Sequence, residues 1–91
     1  MLYPYMTLED DTEIVHSEMG ADGTVKVCIE RPVDGGFHSA TCELPGYRWS
    51  DVVGFSEADI HEFAEIIESG SHLIMRFATI SKYRFFKYVY T

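Results

Sequence analysis

Thr12-Glu13-Ile14-Val15-His16-Ser17-Glu18-Met19-Gly20-Ala21-Asp22-Gly23-Thr24-Val25-Lys26-Val27-Cys28-Ile29-Glu30-Arg31 is the stretch that decides the fold of this chain. Gly20-Ala21-Asp22-Gly23 are turn formers, and the flanks on both sides are rich in Val, Ile and Thr. Such a run reads as a β-hairpin. A symmetric turn sets Ile14 against Ile29 and His16 against Val27. Side chains alternate across a strand, so Val25, Val27 and Ile29 share a face with Ile14, and Lys26, Cys28 and Glu30 take the other.

Ahead of the hairpin, Tyr3–Leu8 is a short apolar-aromatic run that reads as an edge strand. Pro4 has no N–H to donate and belongs on an edge. Glu9-Asp10-Asp11 reads as a solvated turn. After the hairpin, Pro32-Val33-Asp34-Gly35-Gly36 makes a second turn. In Phe37–Leu44, His38, Ala40, Cys42 and Leu44 alternate with Phe37, Ser39, Thr41 and Glu43, as in a strand. Pro45-Gly46 ends it, and Tyr47–Val53 alternates again as a further strand. A register slip of one residue would reverse the face of either Cys28 or Cys42, so the sequence leaves open whether the two thiols meet.

Ser56 is a good helix N-cap, with Glu57 and Asp59 in the first turn behind it. Ile60, Phe63, Ala64, Ile66 and Ile67 follow at helical spacing. Glu57, His61, Glu62, Glu65 and Glu68 lie off that stripe. Gly70 is predicted to end the helix, and Ser71 to cap a second short helix holding Leu73, Ile74 and Phe77. Lys82–Thr91 admits a strand or a helical extension, and its β-branched and aromatic content favours strand. The expected fold class is α+β: an antiparallel meander of three to four strands packed by one C-terminal amphipathic helix, with the short helix and terminal strand as additions.

At 91 residues the chain is read as a single domain, 1–91. No apolar run approaches the roughly 20 residues of a membrane span. The opening MLYPYMTLEDD lacks a basic segment and turns acidic at Glu9, unlike a signal peptide. The expectation is a cytoplasmic protein with reduced thiols. Two cysteines are too few for a disulfide framework and read as small buried hydrophobes.

Charge is divided along the chain. Residues 1–75, the acidic body, hold all 15 acids and three of the seven bases, Lys26, Arg31 and Arg48, a balance of −12. Residues 76–91, the basic-aromatic tail, hold Arg76, Lys82, Arg84 and Lys87 and no acid, a balance of +4. A body of that charge repels nucleic acid and anionic membrane and attracts a basic partner within a Debye length of about 8 Å.

Chemistry-bearing patterns are sparse. His16, His38, His61, His72, Cys28 and Cys42 are possible metal ligands, but no CxxC, HxH or HExxH spacing occurs. His61-Glu62 with Glu65 only partly echoes a zinc-protease helix. The two thiols and His16 converge only in a particular register. Neither a nucleophile signature nor a glycine-rich phosphate loop is present. No cofactor, metal or catalytic residue is therefore expected.

Glu57, Asp59, Glu62, Glu65 and Glu68 spread carboxylates along about 16 Å of helix at 1.5 Å per residue. Glu9, Asp10, Asp11, Glu13 and Glu18 add a second group. Carboxylates at such spacing substitute for phosphates in front of Arg and Lys. The helix has no Lys four residues on to relieve their repulsion. Trp49 reads as a half-buried anchor, or as an interface hot spot if exposed. In the tail, Lys82, Arg84, Phe86, Lys87 and Tyr88 interleave bases with aromatics, as single-strand nucleic-acid binders and subunit contacts do.

The opening Tyr3-Pro4-Tyr5-Met6-Thr7-Leu8 with Thr12-Glu13-Ile14-Val15-His16-Ser17 resembles short uncharacterised open reading frames of bacterial mobile elements. So do Gly36-Phe37, Ala40-Thr41-Cys42-Glu43-Leu44-Pro45, Trp49, Gly54-Phe55-Ser56 and His72-Leu73-Ile74. The resemblance spans roughly residues 3–78 and brings no assigned activity or site residue. It implies a setting in mobile DNA, where small acidic proteins act as antitoxins or as inhibitors of host nucleases, anti-CRISPR proteins among them.

The expectation is thus a non-enzymatic acidic interaction protein that binds and inhibits or regulates a basic nucleic-acid-handling protein. Its contacts would be Glu57, Asp59, Glu62, Glu65, Glu68, Asp10, Asp11 and Trp49. The alternatives are a nucleic-acid binder acting through the tail and a small metal-dependent enzyme. A homodimer is compatible with each.

Overall fold

The structure is a computed structural model that describes the backbone of residues 1–90 and the side chains of residues 1–80. Five strands, β1 (Leu2–Thr7), β2 (Glu13–Ser17), β3 (Val25–Val33), β4 (Gly36–Leu44) and β5 (Arg48–Val53), precede one helix, α1 (Glu57–Tyr90). The strands form one antiparallel sheet in chain order. The α+β meander is as expected, but it has five strands rather than three to four, because both outer segments pair with the sheet.

The hairpin takes the symmetric register, with Ile14 opposite Ile29 and His16 opposite Val27. Gly20 accepts from Gly23 N–H (3.0 Å) and donates to the Thr24 carbonyl (2.8 Å), which closes the turn. Gly23 sits at φ 81°, a conformation that favours glycine. Ile14, Val25, Val27, Ile29, Ala40, Cys42 and Leu44 point inward and are buried. Cys28 lies opposite Thr41 and Cys42 opposite Val27, so the two thiols face opposite sides of the sheet.

Ser56 caps α1 as expected. Its Oγ accepts from Asp59 N–H (3.1 Å), and its own N–H donates to the Asp59 carboxylate (3.0 Å). From there α1 departs from expectation. It passes through Gly70 and Ser71 without a break and runs to Tyr90. Gly70 is buried under Tyr5, where a Cβ would overlap the Tyr5 hydroxyl. Tertiary packing, not helix termination, accounts for this glycine. Ser71 caps nothing, since its hydroxyl donates back to the Glu68 carbonyl (3.3 Å). Among the described residues there is accordingly no second helix and no terminal strand: residues 82–90, favoured as strand, continue α1, and Thr91 lies outside the described residues.

Phe63, Ile67, Gly70, Ile74 and Ala78 form the buried stripe of α1. The helix runs lengthwise along β2. Its first turn lies beside Arg31 (Asp59 to Arg31, 3.8 Å), and Thr79 reaches Met19 past the other end (3.8 Å). Packing α1 on one sheet face leaves the opposite face, with Val15, Cys28 and Phe37, without a covering layer among the described residues.

Candidate acidic interface

The charged residues singled out from the sequence fall into three groups. Asp10 and Asp59 converge on one cation. Arg31 Nε lies 3.1 Å from the Asp10 carboxylate, and Arg31 Nη1 lies 3.8 Å from that of Asp59. Arg31 Nε also donates to Thr12 Oγ1 (2.9 Å). The guanidinium lies over the rings of Phe55 (5.1 Å) and Phe63 (5.6 Å). This arrangement pins the β1–β2 turn and the start of α1 to β3.

Both carboxyls are held below the ordinary Asp value. For Asp10 the main cause is the Thr12 hydroxyl (2.6 Å), with the Thr12 N–H and Arg31 adding to it. For Asp59 it is the Ser56 N–H, followed by the Ser56 hydroxyl and the charges of Arg31 and His38. These two acids are therefore engaged within the molecule.

Arg31 was not among the residues selected from the sequence, although the alternation carried the signal. It continues the inward series Val25, Val27, Ile29, and an Arg in that series needs carboxylates beside it. His16 and His38 likewise occupy inward positions. His16 is buried, donates from Nδ1 to the Ser17 carbonyl (2.9 Å) and stacks between Tyr3 and Phe77. His38 stands edge-on to Phe55, and its Nδ1 is buried without a hydrogen-bond partner among the described residues.

The second group is solvated. Glu57, Glu62, Glu65 and Glu68 are exposed on α1. Glu65 pairs with His61 at 3.3 Å, while Glu57, Glu62 and Glu68 make no ion pair among the described residues. Glu62 borders an open cleft of about 400 Å³ together with Leu8, Glu9 and Asp10. The fold thus brings the acidic β1–β2 turn beside the acidic start of the helix, which are some fifty residues apart in sequence. Asp11 leaves this group. At φ 64° it turns to the opposite side and borders a cleft of about 480 Å³ with Glu13, Glu30 and Phe37 on the uncovered sheet face. There Glu13 and Glu30 are direct cross-strand neighbours of like charge.

Trp49 is half-buried and packs against the core, opposite Cys42 on β4. It is an anchor of β5 and not an exposed hot spot. The third group comprises Lys82, Arg84, Phe86, Lys87 and Tyr88, whose side chains lie outside the described residues.

Among the described residues, no three of His, Cys, Asp and Glu gather as a metal-binding group. The thiols and His16 do not converge, because Cys28 is on the face away from His16 and Cys42. Among the described residues, no helix is long and apolar enough to cross a membrane. No protein-family model, curated protein or solved structure matches this chain.

Proposed function

We propose that this chain is a non-enzymatic acidic interaction protein. Its partner would be a basic nucleic-acid-handling protein, such as a nuclease or toxin, that it inhibits or regulates. A mobile genetic element is the setting that the sequence resemblance implies, and a bacterial cytoplasm is the compartment that goes with it. The observation that carries this reading is the set of exposed carboxylates of Glu57, Glu62 and Glu68, which make no ion pair among the described residues, with Glu62 sharing a cleft with Glu9. Arg31, an inward cation nearby, is already engaged by Asp10 and Asp59. Uncompensated like charge on one surface is unfavourable in the free protein, and a basic surface relieves it. Asp10 and Asp59 then serve as supports, and Glu57, Glu62, Glu65 and Glu68 as the contacts.

The test is a low-salt pull-down from host lysate with stepped salt elution, repeated with a Glu62→Gln, Glu65→Gln, Glu68→Gln chain. A basic nuclease or toxin that elutes sharply with salt, and is lost from the triple variant, supports the reading. Equal retention by the triple variant at low salt overturns the electrostatic contact. Recovery of nucleic acid alone favours binding through the tail instead.

A further inference from the structure

We propose that Asp34, at the tip of the β3–β4 hairpin, is a covalent modification site where the native chain converts aspartate to isoaspartate, while the fold protects Asp22 from the same change. The sequence holds two Asp-Gly steps, Asp22-Gly23 and Asp34-Gly35. Glycine has no Cβ to shield its amide nitrogen, so these are the steps that close most readily onto the preceding side chain. The Gly nitrogen attacks Cγ of the neutral Asp carboxyl and gives up its proton. The carboxyl hydroxyl departs with a proton as water, and the new N–Cγ bond closes a five-membered succinimide. Water then adds to one of the two ring carbonyls. Opening the N–Cγ bond restores aspartate. Opening the bond from nitrogen to the main-chain carbonyl carbon leaves the chain running through Cβ and Cγ, which is isoaspartate. One water is lost and one regained, so no other reactant is required.

The fold restrains one step and not the other. At Asp22, Oδ1 accepts from the Thr24 hydroxyl (2.6 Å) and the Thr24 N–H (3.1 Å). The attacking group is engaged as well, since Gly23 N–H donates to the Gly20 carbonyl (3.0 Å). Electrophile and nucleophile are held by different partners, and ring closure must first open those hydrogen bonds. The Thr24 contacts also hold the Asp22 carboxyl below its ordinary value, which depletes the neutral form that reacts. Asp34 and Gly35, by contrast, are exposed and form the two-residue loop between Val33 and Gly36, which pair across the hairpin. Among the described residues the Asp34 carboxylate makes no hydrogen bond or ion pair, and Gly35 N–H makes no backbone hydrogen bond in the turn. A Cβ at Gly35 or Gly36 would meet nothing within 4 Å, so the imide has room to form. Isoaspartate there adds one backbone atom to a loop whose length sets the pairing of β3 with β4.

The test ages the full chain at neutral pH, native and in concentrated urea, and follows both sites by tryptic mapping against an unaged blank. Asp22 falls in peptide 1–26 and Asp34 in peptide 27–48, where it is the one Asp, because Pro32 blocks cleavage after Arg31. Isoaspartate does not change peptide mass, so it is read by chromatographic separation and electron-transfer fragmentation. In the native chain Asp34 should isomerise at least roughly tenfold faster than Asp22, since three hydrogen bonds restrain only the Asp22 step. In urea the two rates should converge. A native Asp34 that stays intact while the urea sample isomerises overturns the proposal. So does a native Asp22 that keeps pace with Asp34, or a difference between the sites that persists undiminished in urea, which would place its cause in local sequence and not in the fold.

Discussion

Arg31 stands where an inward series of Val and Ile would continue, and the residues around it answer that placement. Asp10 and Asp59 neutralise it, Thr12 accepts from it, and two aromatic rings lie under it. The consequence is acid sensitivity. A carboxyl held below its ordinary value binds its proton less readily folded than unfolded. The stability it contributes is complete above the ordinary Asp value of 3.8 and is lost as pH falls below it. Asp22, held low chiefly by the Thr24 hydroxyl, acts in the same direction. Asp10→Asn and Asp59→Asn should therefore lower the urea midpoint near neutral pH and flatten its fall in acid. Variants that keep the wild-type acid limb would remove Asp10 and Asp59 from this account. The thiols differ as sharply. Burial pushes Cys42 up to about 11, whereas Cys28 is half-exposed on the uncovered sheet face. One thiol per native chain should react with an aromatic disulfide reagent at neutral pH, and Cys28→Ser should abolish that fast phase. The alternation pattern places all of these residues on the correct face. It does not say which side chain from another element meets them, which is why Arg31 escapes a reading made from charge counts.

The hairpin and the helix show opposite degrees of legibility. The β2–β3 register follows from local turn chemistry, so Ile14–Ile29 and His16–Val27 are readable without the rest of the chain. The extent of α1 is not local. Gly70 looks like a stop, yet it is a gap filled by Tyr5 from β1. Two effects then oppose each other at this position. Ala is worth up to about 1 kcal/mol over Gly inside a helix, but its methyl overlaps the Tyr5 hydroxyl. Gly70→Ala should destabilise the wild-type chain and stabilise a Tyr5→Leu chain, a reversal of sign in a double-mutant cycle read by denaturant melts. The same sign in both backgrounds would mean that Tyr5 moves aside freely. The tail is the other misreading: aromatic and β-branched content favours strand, but a helix already nucleated at Ser56 propagates at little further cost. The sheet edges need none of this. Pro4 and a register shift interrupt β1, and Asp51 at φ 52° with a second shift interrupts β5, so neither edge offers a regular template to another strand.

For the molecule as a whole, the charge count is readable from the sequence, and its arrangement is not. Asp10 and Asp59 belong to the supporting frame, Glu57, Glu62 and Glu68 to the solvent, and Asp11 to the far face of the sheet. Only folding makes that division. A body so rich in unpaired acid repels itself, so its melting temperature should rise as monovalent salt is added from low ionic strength. A flat response would mean that internal pairing already neutralises the body. Continuity of α1 has a last consequence. A rod about 51 Å long, acidic toward one end and basic toward the other, is a permanent electric dipole. In the field of any charged surface it experiences a torque before it makes contact. A cationic surface turns the Ser56 end forward and an anionic one turns the Tyr90 end forward, so the choice of face is made during approach.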